Sequence, residues 1–231
     1  MFDISPAEWT AILLSLRVAV VATLVATPFG IALAWLLARR EFWGKSILDA
    51  AVHLPLVLPP VVTGYLLLLT FGRRGLVGAW LADHLGIVFA FRWTGAALAC
   101  GIMSFPLLVR PIRLSIEAID RRLEQASSTL GAAQWQVFAT VTLPLALPGV
   151  LAGMVLGFAK AIGEFGATIT FVSNIPGETQ TISSAIYSLI QTPDGDAAAG
   201  RLVLISIVIA MSALIASEWF ARRATKRLHG N

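Results

Sequence analysis

Residues 123–144, LEQASSTLGAAQWQVFATVTLP, form one polar interval between two strongly apolar parts of the chain. The interval is too polar to cross a bilayer. It opens with helix formers, and Gly131 stands in its middle, where a helix can end or turn sharply. It closes on Leu143-Pro144, and proline suits the first turn of a new helix. The pattern predicts a helix, a glycine hinge, a short second helix, and a proline that starts a membrane-bound run. Trp135 and Phe138 lie three apart on the short helix and should share a face as one bulky apolar knob.

The composition sets the class. The chain has 231 residues, 57% hydrophobic and 13% charged. Its mean hydropathy of +0.81 points to an integral membrane protein. That length holds one compact bundle of about five or six spans, with no room expected for a separate ATPase or ligand-binding domain. The net charge of +4 and pI near 9.8 could suggest nucleic acid, but the basic residues sit at the ends of apolar runs, as topology signals do. Cys100 is the single cysteine and lies in an apolar run, so it forms no internal disulfide and should be unreactive. The first apolar run is too long, and its N-terminal flank too poor in basic residues, for a cleaved signal peptide.

Five spans are expected in an all-α, polytopic membrane helix bundle that makes residues 1–231 one domain. The first, at about 12–38, contains the charge-free run Val18–Ala38, with Arg17 snorkelling at its start. A run of that length can cross the ~30 Å of a hydrocarbon core. The second, at about 50–72, holds Pro55, Pro59 and Pro60 and should be kinked or partly unwound, a state tolerated only against protein or a water-filled cavity. Residues 73–86 are too short to span and suit the interface through Leu76, Trp80 and Leu81. The third span covers about 88–109. A polar helix from Ser115 to Thr129 then leads through the 115–144 loop to a fourth span at about 145–171, whose glycines permit close helix approach. A loop with one small helix near Ile182, Ile186 and Leu189 precedes the fifth span at about 202–220.

With the N-terminus outside, inner segments carry eleven of the 17 Lys and Arg residues: Arg39, Arg40, Lys45, Arg110, Arg113, Arg121, Arg122, Arg222, Arg223, Lys226 and Arg227. Outer loops carry Arg73, Arg74 and Arg201, whereas Arg17, Arg92 and Lys160 lie in or beside spans. The positive-inside rule therefore puts residues 115–144 in the cytoplasm and the C-terminus inside. No internal repeat is visible, so the inverted-repeat hallmark of many secondary transporters is absent.

As an arbitrary loop, the interval would simply lie on the membrane surface. Its spacing supports a sharper reading. Gln125-Ala126-Ser127, three residues, Gly131, nine residues, Val141, one residue and Leu143-Pro144 resemble the cytoplasmic signature of binding-protein-dependent ABC importer permeases. In that family the motif reads Glu-Ala-Ala, three residues, Gly, nine residues, Ile, one residue, Leu-Pro. Gln125 stands where the family has glutamate, with Glu124 one place earlier, and Ser127 replaces the second alanine. The resemblance implies a type I importer permease fold and an ATPase-docking coupling helix. It assigns that coupling to Glu124, Gln125, Ala126, Gly131, Trp135, Phe138, Leu143 and Pro144. Ser128, Gln134 and Gln136 stand where relatives often carry arginine, so the apolar knob should matter more than charge here.

Further blocks, HLPLVLPP at 53–60, SFPLLVRPIR at 104–113, AIDRRLEQA at 118–126, KAIGEFGATITFVSNIPGETQTI at 160–182 and AIYSLIQTP at 185–193, are similar to molybdate importer permeases. Sulfate and thiosulfate permeases share GEFG-type segments, and tungstate is a further alternative. The narrower resemblance implies a homodimer in the bacterial inner membrane, two cytoplasmic ABC ATPase subunits, and a periplasmic or extracellular molybdate-binding protein. No cofactor, metal or nucleic acid is expected, and with no nucleophile–base arrangement, Walker lysine loop or paired catalytic carboxylate visible, ATP hydrolysis is expected in the separate ATPase subunit and not in this chain. A proton-coupled secondary carrier and a non-transporting membrane scaffold are the alternatives of other classes.

Within the spans, Lys160 and Glu164 are four apart and form the one oppositely charged pair inside an apolar run. Intramembrane charge marks either a functional site or a mutual neutralisation that fixes helix packing. Thr63 and Ser104, with Thr168 and Thr170, could hydrogen-bond an oxyanion in a passage or bond back to their own helices. His53 reads as an interfacial residue, since His84 and His229 lie in other segments without ligand spacing.

Overall fold

A computed structural model describes residues 4–229. The chain is all helical, with no strand among the described residues. Helix α1 (Pro6–Arg39) is a single rod starting at a capping box. The Glu8 N–H donates to Ser5 Oγ at 3.2 Å, and the Ser5 N–H donates to the Glu8 carboxylate at 2.6 Å. Its buried face is lined with small residues, Ala19, Ala22, Ala26, Gly30 and Ala34, and this narrow face lies along α5 (Trp93–Glu117).

The second expected span is broken outright. Helix α2 (Lys45–Val57) and α3 (Pro60–Phe71) meet at an angle of 114°. Leu58 and Pro59 are both extended, because each precedes a proline whose ring excludes the helical conformation. A surface helix α4 (Leu76–Leu85) follows, with Leu76 and Trp80 exposed as its amphipathic pattern implies. Residues 88–92, assigned to the third span by hydropathy, lie outside any helix, and α5 extends beyond the expected end at 109 to Glu117. The polar helix expected over 115–129 is accordingly split: α6 is Arg121–Thr129, capped by the Asp120 carboxylate accepting from the Arg122 N–H.

Three further boundaries differ from the sequence reading. Helix α7 (Gln134–Val137), a π turn (Phe138–Thr142) and α8 (Leu143–Ile162) run as one continuous 29-residue helix. Pro144 therefore starts no new helix. The wide turn, in which the Leu143 N–H donates to the Phe138 carbonyl, sits just before Pro144, which has no N–H of its own to continue the ladder. The fourth span stops at Ile162, and α9 (Gly166–Val172) is a separate helix after a break at 163–165. Helix α10 (Ile182–Leu189) packs with Ala11, Ile12 and Leu202, with Ile182 and Ala185 in that core, and α11 (Asp196–His229) begins six residues before the expected fifth span. Side chains beyond Ala216, including the basic tail residues Arg222, Arg223, Lys226 and Arg227, lie outside the described residues.

Among the described residues, four helices are long and apolar enough to cross a membrane, or up to five spans if the bent α2–α3 pair is one. Helix α5 is the central element, packed against both α1 and α8. Glycines set the distance to α8. A Cβ on Gly153 would lie 2.5 Å from the Leu108 carbonyl oxygen, whereas one on Gly157 would meet nothing closer than 3.7 Å. Gly153→Val should therefore force α5 and α8 apart and cost about 1–3 kcal/mol. Gly157→Ala should melt close to the unchanged protein when both are followed by thermal unfolding in detergent.

Candidate functional site

The polar interval folds back under the bundle. Helix α6 ends in a Schellman-type turn. The Gly131 N–H donates to the Ser128 carbonyl at 3.0 Å and the Ala132 N–H to the Ser127 carbonyl at 3.3 Å. Gly131 has φ +90, and a Cβ placed on it would meet nothing within 4 Å. Its role is conformational: a side chain would be strained by the backbone, not crowded. Ala133 opens the second helix, its N–H donating to Gln136 Oε1 at 2.7 Å.

Arg39 clamps this segment to the end of α1. Its guanidinium lies 3.0 Å from the Glu124 carboxylate and also donates to the Ile119 carbonyl at 3.3 Å. Thr142, in the π turn, donates its hydroxyl to the same carboxylate at 2.6 Å. Arg40 donates to Gln134 Oε1 at 3.0 Å. A cavity of about 440 Å³ lies inside the curl, lined by Arg39, Arg40, Arg121, Glu124, Gln134 and Phe138 among others. On the neighbouring linker, Lys45 donates to Glu41 at 2.7 Å and holds its carboxyl below the usual carboxylate range. Arg113 bridges α5 to α2 through Asp49 at 2.9 Å.

The structure divides the residues assigned to docking. Gln125, Ala126, Gly131 and Trp135 are exposed, Trp135 at 70%. Phe138 is not part of a shared knob. It turns toward α1, its half-buried ring edge-on to Trp35 at 6.1 Å. Leu143 packs into the core cluster around Val109 and Ile112. Glu124 is engaged by Arg39 and Thr142, so it holds the segment in place instead of facing outward. Sequence reasoning missed Leu123 and Leu130, exposed at 51% and 88%, which with Trp135 make the segment's outward apolar groups. It also missed Arg39, Arg40 and Thr142, since nothing in a linear pattern pairs residue 39 with residue 124.

Inside the bundle, Lys160 donates to Glu164 Oε2 at 2.7 Å, and the other carboxylate oxygen accepts the Ala167 N–H at 2.9 Å. Glu164 is buried in the α8–α9 break, where it neutralises Lys160 and caps the next helix. This favours the packing role over a free proton site. Ser104 is fully buried and bonds back to the Gly101 carbonyl at 3.2 Å, and Thr168 and Thr170 also bond back to their own helix or its cap. Thr63 differs: it is buried on α3 and its hydroxyl has no partner among the described residues. The two broken segments meet here, for a Cβ on Gly64 would lie 2.5 Å from the Ala167 carbonyl oxygen and one on Gly166 2.7 Å from Pro60. His53 Nδ1 lies 2.8 Å from the Asp49 carbonyl of its own helix.

Residues 26–226 match the family described as "Binding-protein-dependent transport system inner membrane component". The chain belongs to this family. The molybdenum transport system permease protein ModB of Escherichia coli K12 is 61% identical over 220 residues, 95% of this chain and 96% of its own length. ModB of Haemophilus influenzae is 57% identical over 221 residues, 96% of each chain. The sulfate transport system permease protein CysT of Escherichia coli K12 is more distant, 36% identical over 211 residues, 91% of this chain and 75% of its own length.

Solved structures agree with the fold. A chain of the bacterial alginate ABC transporter in complex with alginate pentasaccharide-bound periplasmic protein superimposes with a TM-score of 0.76 at 20% identity, covering 97% of this chain and 84% of that one. The inward-facing methionine ABC transporter MetNI gives 0.71 at 14% identity, covering 97% and 99%. The fold is that of a type I ABC importer permease. For an inner-membrane component of this family, Gly131→Val should leave membrane insertion intact and abolish ATP-dependent uptake, because a β-branched residue at that φ costs about 1–2 kcal/mol and reorients the segment. Uptake into vesicles alongside a protease-protection assay of insertion checks both halves.

Proposed function

We propose that the chain is the membrane-spanning subunit of an ATP-driven importer that moves molybdate inward by alternating access. The observation that carries this reading is the identity pattern: 61% to a molybdenum permease along nearly the whole chain, against 36% to a sulfate permease. Two copies would enclose one passage, two ATPase subunits would grip the exposed Leu123, Leu130 and Trp135 from the cytoplasm, and an external binding protein would deliver the anion. ATP hydrolysis belongs to the ATPase subunits and not to this chain.

The arrangement suits that work. Leu130 and Trp135 flank the Gly131 hinge, and Trp135 stands on the helix that continues unbroken into the bundle, so force applied there reaches α8 directly. The clamp from Arg39 to Glu124 and Thr142 makes the end of α1 move with it. The distribution of Lys and Arg supports a cytoplasmic position for this face and an external N-terminus. The buried Thr63 hydroxyl, unpartnered among the described residues and beside the two helix breaks, is the group best suited to meet a passing oxyanion.

A strain lacking its molybdate and sulfate permeases, supplied with this chain and its genomic neighbours, tests the reading. Growth on limiting molybdate but not on limiting sulfate is the expected result, with uptake lost on ATP depletion. Rescue on sulfate alone would transfer the assignment to a sulfate-type permease. Uptake that persists without an ATPase partner and collapses with the proton gradient would make it a secondary carrier.

A further inference from the structure

We propose that a groove between α1 and α5 is a binding site for one phospholipid whose headgroup carries both a phosphate and a primary ammonium, as phosphatidylethanolamine does. The groove has a volume of about 650 Å³ and is lined by apolar side chains with Thr94 as the one hydroxyl. α2 borders it only through Ala51, Val52 and Pro55, before the 114° bend turns the chain. Its open side runs along Val25 and Phe29, exposed at 58% and 66%. Along α5 it extends from Trp93 to Phe105. That is about 18 Å of helix, close to the ~15 Å depth of one hydrocarbon leaflet.

A polar pocket of about 480 Å³ continues the groove at the end nearer the α1 N-terminus, sharing Trp93 and Thr94 with it. Arg17 and Arg92 line this pocket together with Glu178. The Arg17 guanidinium lies over the Trp93 ring, 3.7 Å from its centroid. That cation–π contact holds it at the rim of the groove with its N–H edge available. Neither arginine makes an ion pair among the described residues, and Glu178 makes none either. Two cations beside one carboxylate complement a phosphate with an ammonium attached, while the apolar channel below takes an acyl chain. The site rests on membrane embedding alone and not on the identity of the cargo.

Native mass spectrometry of the chain purified in mild detergent, with its retained lipids counted, tests this. The unchanged protein should retain phosphatidylethanolamine in preference to phosphatidylglycerol. Arg17→Ala with Arg92→Ala should lower that retention roughly tenfold, the loss expected for charge-assisted contacts. Val25→Trp, which fills the groove from its open side, should abolish it. Glu178→Gln, at an exposed loop position and safe for folding, should erase the preference for the ammonium-bearing lipid. Unchanged retention in the arginine variant overturns the proposal, as does equal retention of both lipids by the unchanged protein. Efficient disulfide cross-linking of Val25→Cys between two copies in native membranes also overturns it, since the second copy would then occupy the groove. Reduced uptake in the arginine variant with its lipid content intact would assign the two cations to the transported oxyanion and overturn it equally.

Discussion

In hydrocarbon every backbone N–H and C=O must find its partner inside the protein, and among the described residues this chain breaks two of its apolar helical runs, at 58–59 and at 163–165. Both interruptions are tolerated because they shelter one another. Gly64 and Gly166 have no side chain, so α3 and α9 meet backbone to backbone, with Pro60 against Gly166 and the Ala167 carbonyl against Gly64. Glu164 completes the arrangement by accepting the Ala167 N–H, a group that no helical carbonyl serves at that position. Lys160 then keeps the carboxylate from being an uncompensated buried charge.

Around this broken pair stands a continuous frame of α1, α5 and α8, packed closely through alanine and glycine. Apolar packing alone leaves such helices free to slide, since lipid is as apolar as the helix faces. Polar links at both ends fix the register. Near the α1 N-terminus, Arg201 of α11 pairs with Glu8 at 3.0 Å, and the Ile182 N–H donates to Ser15 Oγ at 2.7 Å. At the other end, Arg39, Glu124 and Thr142 join α1, α6 and the π turn, and Arg113 joins α5 to α2. Such pairs contribute little net stability, and their value is in choosing one arrangement over its near neighbours.

Membrane class, helical architecture and the hinge at Gly131 were legible in the sequence, because apolar run length and glycine in a polar interval act through local physics. The proline-driven break at Leu58-Pro59 was legible for the same reason, though its sharpness was not. The errors share a cause. Hydropathy carried the fourth span across Gly163 to 171, yet the chain turns there because Glu164 and Ala167 satisfy each other, a contact no window average records. Pro144 read as a helix start, but it sits just after the π turn inside one continuous helix. Phe138 read as an exposed partner of Trp135, until Trp35, remote in sequence, supplied the ring it packs on.

The unbroken run from Gln134 to Ile162 has a mechanical consequence. Its 29 residues form one bar. At 1.5 Å per residue such a bar is about 44 Å long, and a tilt of ~5° about its lower end would carry the far end through roughly 4 Å, most of the rise of a helix turn. Because the bar stops at Gly163, that swing is delivered to the sheltered break beside α3, where two short helices hold each other through bare backbone and have the least side-chain mass to drag. Leverage, and not local rearrangement, is what a rod of this length provides at its tip.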